Sequence, residues 1–143
     1  MSYGNSQRIQ DCNYRIAQCE QQVRNYENDI QDLNRRLNRL MDGRYSQKRE
    51  RDEFYRQMDE ERSRLTGVRK AGNSRLAEGY LDTMGRFMNG AKCRDAMNAH
   101  DQIIVEIDRA IGRVEDEIRE CNSRIHGLEG EIDSLQREIR AAY

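Results

Sequence analysis

The sequence contains no proline and no tryptophan, and only two of its 143 residues are phenylalanine. Hydrophobic residues make up 36% of the chain, which is too little apolar material for a thick, multilayered core. This shortage argues against a compact enzyme, and we expect a non-enzymatic protein. The composition that remains is rich in charged and amide side chains and is typical of long helices.

An excess of charge of one sign is also missing. The 25 basic residues nearly balance 26 acidic ones, which leaves a net charge of -1. A protein that binds nucleic acid without reading its sequence needs a basic excess to displace counterions. We therefore expect no nucleic-acid partner.

Long apolar runs are absent as well. The longest run of strongly apolar residues is Ile103, Ile104 and Val105, whereas a transmembrane helix needs roughly 18. The first 25 residues hold no apolar stretch behind a basic start, and Met1-Ser2 lacks the glycine that myristoylation requires. We expect a cytoplasmic chain without membrane insertion, and co-export with a partner stays open.

Apolar residues in the first third of the chain recur with alternating spacings of three and four. This heptad spacing places all of them on one seam of an α-helix, and strand periodicity does not produce it. The same register continues more weakly at Phe54, Met58, Leu65 and Val68. The first stripe consists of Ile9, Cys12, Ile16, Cys19, Val23, Tyr26, Ile30, Leu33, Leu37 and Leu40.

A second heptad stripe covers the last third of the chain. Extended backwards, its register reaches His100, Met97 and Cys93, with Gly90 at the next seam position, so this helix is predicted to begin near Ala91. The stripe consists of Ile104, Ile107, Ile111, Val114, Ile118, Cys121, Ile125, Leu128, Ile132, Leu135, Ile139 and Ala142.

The segment between the stripes is rich in glycine. It contains Gly67, Gly72, Gly79, Gly85 and Gly90. A short amphipathic pattern within it predicts one short helix, with apolar positions at Leu76, Tyr80, Met84 and Phe87 or Met88.

Two long helices with narrow apolar seams bury them most simply by folding back on each other. We predict one all-α domain over 1–143, an elongated, coiled-coil-like antiparallel two-helix hairpin. Its first long helix is predicted over 5–66, its glycine-rich connector over 67–90 and its second long helix over 91–142. A helix of nearly 60 residues is roughly 85 Å long, which predicts a rod.

A hairpin of two such helices leaves the sides of its seam exposed to solvent, and a partner would cover them. The candidate partner-binding residues are Met41, Tyr45, Tyr55, Ile103 and Val105. An antiparallel register that opposes Ile9 with Ala142 brings the second-helix pair near Tyr45. We interpret the five residues as one patch, although solitary exposed apolar residues are common and that alternative stays open.

The four cysteines are predicted to be reduced seam residues. Cys12 and Cys19 lie two helical turns apart, roughly 10 Å, which exceeds the 7 Å limit for a disulfide between Cα atoms. The hairpin register places Cys121 opposite residue 30 and Cys93 opposite residue 58, so no cysteine faces another.

No motif points to a metal, a cofactor or a catalytic residue. Zinc ligands are typically closely spaced, whereas Cys93, His100 and Cys121 are scattered. His100 is interpreted as a polar seam residue and His126 as a solvated one. Acids and arginines interleave as on a solvated helix face, and no acid stands out as a general base.

The end of the connector has the features of a turn. Phe87-Met88-Asn89-Gly90 precedes the second long helix, and glycine permits a sharp reversal by tolerating positive φ. In this layout the chain resembles the WXG-type, Esx-like helical hairpins of type VII secretion, in which a Trp-x-Gly turn joins two antiparallel helices. It is most similar to the small partner proteins of LXG toxins, which share a Met-Ser-Tyr opening and a heptad-rich final helix.

This resemblance implies Phe87, Met88 and Gly90 as the turn motif, although methionine stands where the family has tryptophan. It implies a non-enzymatic, chaperone-like targeting partner that binds the helical N-terminal domain of an LXG-type toxin, with a second small helical partner or a homodimer left open. Exported relatives often carry a Tyr-x-x-x-Asp/Glu signal after the second helix. The one match here, Tyr55 to Asp59, lies inside the first helix, so we expect an accessory that depends on its partner's signal.

The alternative is a self-associating structural coiled coil that acts as a spacer or scaffold. Heptads alone allow this arrangement. The five connector glycines argue against a continuous helix through the middle of the chain and favour the hairpin.

Overall fold

The computed structural model describes residues 3–71 and 74–143. It contains three helices, α1 (Tyr3–Ala71), α2 (Arg75–Asn89) and α3 (Ala91–Ala142). No strand occurs in the two described ranges. The chain is an all-α helical hairpin, as predicted, with α1 as one arm and α2 and α3 as the other. Gly72 of the predicted connector and Met1-Ser2 of the opening lie outside the described residues.

The apolar seams predicted from heptad spacing are confirmed. Every residue of the two predicted stripes is buried or half-buried, and so are their weaker extensions from Phe54 to Val68 and from His100 back to Cys93. Each α-helix therefore presents one narrow stripe to the other arm, as a spacing of three and four requires.

One compact unit consists of Met1–Arg39 and Gly112–Tyr143. Arg15 pairs with Glu131 at 3.1 Å, and the Cys12 thiol donates to the Glu138 carboxylate at 3.3 Å. Residue numbers rise along α1 as they fall along α3, so the two helices run antiparallel. The buried core of this unit contains Cys12, Cys19, Leu33, Val114, Leu135 and Ala142.

The second compact unit is Leu40–Ile111. Its buried cluster is Met58, Met88 and Cys93, against which Phe54, Leu65 and Met97 pack. The Tyr80 hydroxyl of α2 donates to Glu61 of α1 at 3.0 Å. The short helix is therefore packed against α1 as the first part of the second arm.

The start of α2 is fixed by a capping residue. The Ser74 side chain accepts a hydrogen bond from the backbone N–H of Ala77 at 3.1 Å, which satisfies one of the donors that a helix start leaves free. Gly67 lies inside α1, and Gly79 and Gly85 lie inside α2. Packing against the opposite arm thus outweighs the low helix propensity of these glycines.

Gly90 does not adopt the positive φ that the sequence interpretation gave it. Its φ is -84° and its ψ 169°, an extended conformation open to any residue. Glycine fits here for another reason, because a Cβ atom would lie 2.5 Å from the backbone oxygen of Arg86. Gly90 thus forms the bend between α2 and α3, which both belong to the second arm.

Candidate protein-binding surface

The seam of α1 becomes polar within the unit Leu40–Ile111. Arg44, Gln47 and Arg51 occupy seam positions and are half-buried. Arg44 pairs with Asp108, and Arg51 Nη1 lies 3.8 Å from the Asp101 carboxylate. Ion pairs this exposed contribute little stability. In this stretch α1 therefore contributes little apolar surface to the seam.

The apolar side chains of the same stretch lie beside the seam. Met41 is 54% exposed and Tyr45 65% exposed. Tyr55 is half-buried, and its hydroxyl donates to Asp101 at 3.2 Å. Burial raises the pKa of Tyr55, and the bond to Asp101 raises it further. The phenol therefore stays protonated and holds its ring at the edge of the seam.

The structure divides the predicted patch between two sides of α3. Ile103 and Val105 are two residues apart, so their side chains point about 200° apart around the helix, with buried Ile104 between them. Val105 lies one turn from both Asp101 and Asp108 and shares their face. We call the four residues on this side, Met41, Tyr45, Tyr55 and Val105, the tyrosine flank.

Ile103 lies on the opposite side of α3 and is 40% exposed. On α1 the side opposite Tyr55 presents Glu53 and Gln57, which help to line an open groove of about 630 Å³. His100 and Phe54 also line the groove, and the centroids of their rings are 5.4 Å apart. Charged residues of both signs line this groove, among them Arg49, Glu50 and Glu53.

His100 is the polar seam residue that the sequence predicts. It is half-buried, and its Nδ1 atom is buried without a hydrogen-bond partner. His126 is exposed, with Nδ1 4.0 Å from Glu129.

The residues of the predicted turn motif have three different environments. Met88 is buried against Met58 and Cys93, Phe87 is 43% exposed, and Gly90 forms the bend. The motif therefore combines a core residue, a surface residue and a glycine whose backbone leaves no space for a side chain.

The inward face of α2 differs from the predicted one. The structure turns Ala77, Leu81, Met84 and Met88 towards α1 and leaves Leu76, Tyr80 and Phe87 exposed. Sequence reasoning missed this second apolar stripe. The signal was present, since apolar residues occur in adjacent pairs at 76–77, 80–81 and 87–88.

All four cysteines are free thiols. Burial raises the pKa of Cys12, Cys19 and Cys121, and nearby carboxylates add to the effect. Thiolates are the nucleophiles and the metal ligands, so protonated thiols are poor at both roles. Within the described ranges, no three His, Cys, Asp or Glu side chains come together as a metal site.

The helices over 3–71 and 74–143 include no stretch long and apolar enough to cross a bilayer. No family model, curated protein or solved structure matches this chain. The functional proposal consequently depends on the chain's own residues and on the resemblance in layout.

Proposed function

We propose that the chain is a non-enzymatic binding and targeting partner that packs its helices against the helical N-terminal domain of an LXG-type toxin and helps to deliver it for type VII secretion. The observation that carries the proposal is where the polar and apolar side chains of α1 lie between positions 41 and 55. Polar Arg44, Gln47 and Arg51 lie on the seam there, while apolar Met41 and Tyr45 lie outside it.

This placement of apolar side chains outside the seam favours binding of another protein. Apolar side chains on the seam would stabilise the hairpin, whereas on the tyrosine flank they gain from burial only when something covers them. Tyrosine is enriched at protein interfaces, because its ring buries a large area and its hydroxyl keeps a polar contact. The docking helix is expected to lie along α1 and α3 and to place its own apolar stripe on the flank.

The layout supports the choice of a helical toxin domain as the partner. The antiparallel hairpin with a heptad-rich final helix is the arrangement on which the resemblance rests. Gly90 forms a bend within the second arm, whereas the Trp-x-Gly turn of WXG-type hairpins joins their two helices. The proposal therefore depends on the helix arrangement and the flank, and not on the turn motif.

Co-expression with an LXG-type N-terminal domain encoded next to this chain tests the proposal. We expect the two proteins to co-purify, Val105→Asp to abolish the complex and Ile103→Asp to leave it, with unchanged helicity by circular dichroism. Ile103 is the matched control, since it is 40% exposed against 41% for Val105. Failure of the wild-type pair to co-purify, with the chain monodisperse alone, contradicts the proposal. Equal loss in both variants would remove the assignment to one flank.

A further inference from the structure

The short helix α2 has two apolar faces, and the hairpin covers only one of them. Met88 of the inner face is buried, whereas on the outer face Leu76 is 86% exposed, Tyr80 37% and Phe87 43%. Three large exposed apolar residues in a 15-residue helix form a contiguous stripe, because they lie four and seven residues apart.

We propose that this outer face of α2 pairs two copies of the chain, with the two α2 helices antiparallel about a two-fold axis. The stripe reads Leu76, Tyr80, Thr83 and Phe87, with spacings of four, three and four. These spacings are the same in both directions along the helix. A two-fold axis near residues 81 and 82 therefore places every stripe position of one copy opposite a stripe position of the other copy, as a self-complementary interface requires.

The side chains that this register brings together fit by size. Leu76 of one copy faces Phe87 of the other, and both are large and apolar. Tyr80 faces Thr83 of the other copy, so that the largest ring of the stripe meets its smallest side chain. Alternation of large and small side chains across facing positions is how packed helices fill space.

Charge and backbone space also suit a second copy. The stripe holds no charged residue, and α2 as a whole carries Arg75, Arg86, Glu78 and Asp82, so two α2 helices do not repel through net charge. Gly79, next to Tyr80 of the stripe, has no side chain, and a Cβ atom placed there would meet nothing within 4 Å, so the backbone beside the stripe is open to an approaching helix.

Part of the face is already ordered before pairing. The Tyr80 hydroxyl donates to Glu61 of α1, so the Tyr80 side chain is already held in one conformation before a second copy binds. Pre-ordered side chains lower the entropic cost of association. Since one 15-residue helix offers only a small interface, we expect a reversible dimer with a dissociation constant on the order of micromolar.

Sedimentation equilibrium of the full chain between about 1 and 300 µM tests this pairing. The 16.9 kDa chain is expected to shift towards twice its mass as concentration rises. Leu76→Lys alone and Phe87→Glu alone are each expected to weaken the dimer by at least tenfold. Ile103→Asp, which changes an apolar residue outside both α2 and the tyrosine flank that is about as exposed as Phe87, is the control and is expected to leave the dimer intact.

Mixing the two charged variants tests the register. The positive charge that Leu76→Lys introduces in one chain would face the negative charge that Phe87→Glu introduces in the other. The second contact would keep its native Leu76 and Phe87, so the mixture is expected to form a heterodimer. A wild-type chain that is monomeric at the highest concentration, a dimer insensitive to both changes, or a mixture that stays monomeric would each overturn the proposal. Binding of the toxin domain plays no part in this experiment, so the two proposals fail independently.

Discussion

The Sγ atom of Cys93 lies 3.6 Å from the Sδ atom of Met58, inside the buried cluster that joins α1 to the second arm. Thirty-five residues separate the two side chains in the sequence. Their contact matches the antiparallel register in which Cys93 faces residue 58. It also shows that the bend at Gly90 leaves the seam continuous, because Met88 before the bend and Cys93 after it contact the same residue cluster.

Truncation of Met58 is expected to destabilise the hairpin strongly. Met58→Ala removes a buried side chain from a cluster with few members, and such changes cost about 2–5 kcal/mol. Urea unfolding followed by circular dichroism measures the loss in the free energy of unfolding. Met41→Ala is the matched control, since Met41 is 54% exposed, and its effect should stay within about 0.5 kcal/mol. Equal effects at both positions would contradict the assignment of the core.

Two glycine substitutions are expected to act in opposite directions. Gly127→Ala should stabilise α3 by about 0.5–1 kcal/mol, because a Cβ atom there meets nothing within 4 Å and alanine favours the helix. Gly90→Ala should destabilise the hairpin, because its Cβ atom would lie 2.5 Å from the Arg86 backbone oxygen. Thermal melts give the two signs. A higher melting temperature for Gly90→Ala would show that the bend is not close-packed.

Alkaline pH is expected to weaken the fold. Burial, followed by the bond to Glu138, raises the pKa of Cys12 above its ordinary 9.0, and burial likewise raises that of Cys19. The folded state then holds these protons more tightly than the unfolded state. The stabilisation is fully present below about pH 9 and is lost as pH rises through the folded-state pKa values.

Melting temperatures at about pH 8 and pH 10.5 measure this loss. The double variant Cys12→Ala, Cys19→Ala should lose less stability between the two pH values than the wild type, whatever its stability at the lower pH. A wild-type chain that is more stable at the higher pH would contradict the direction of the pKa shifts.

Much of the fold could be predicted because heptad spacing acts locally. The spacing of three and four by itself places Ile9 through Leu40, and Ile104 through Ala142, on one side of their helices. Continued past Leu40, the same spacing places Arg44 and Arg51 on the seam, where both are half-buried. The separation of Ile103 from Val105 could be predicted in the same way, since side chains two positions apart on a helix point to nearly opposite sides.

The orientation of α2 could not be predicted from spacing. Its apolar residues fit two helical stripes offset by one position, and the choice depends on contacts of Met88 with residues distant in sequence. The role of Gly90 was equally hidden, because a local pattern does not distinguish a positive φ from a close approach of backbone. Both features depend on tertiary packing, which a single helix does not encode.

Isothermal titration with the helical N-terminal domain of the proposed toxin partner measures most directly whether the tyrosine flank binds it. Tyr45 and Tyr14 are 65% and 66% exposed, but only Tyr45 lies on the tyrosine flank. We expect Tyr45→Ala to raise the dissociation constant at least tenfold, about 1.4 kcal/mol, and Tyr14→Ala to change it less than twofold. Equal effects of the two substitutions, or no heat of binding with the wild-type chain, would rule out binding through the tyrosine flank.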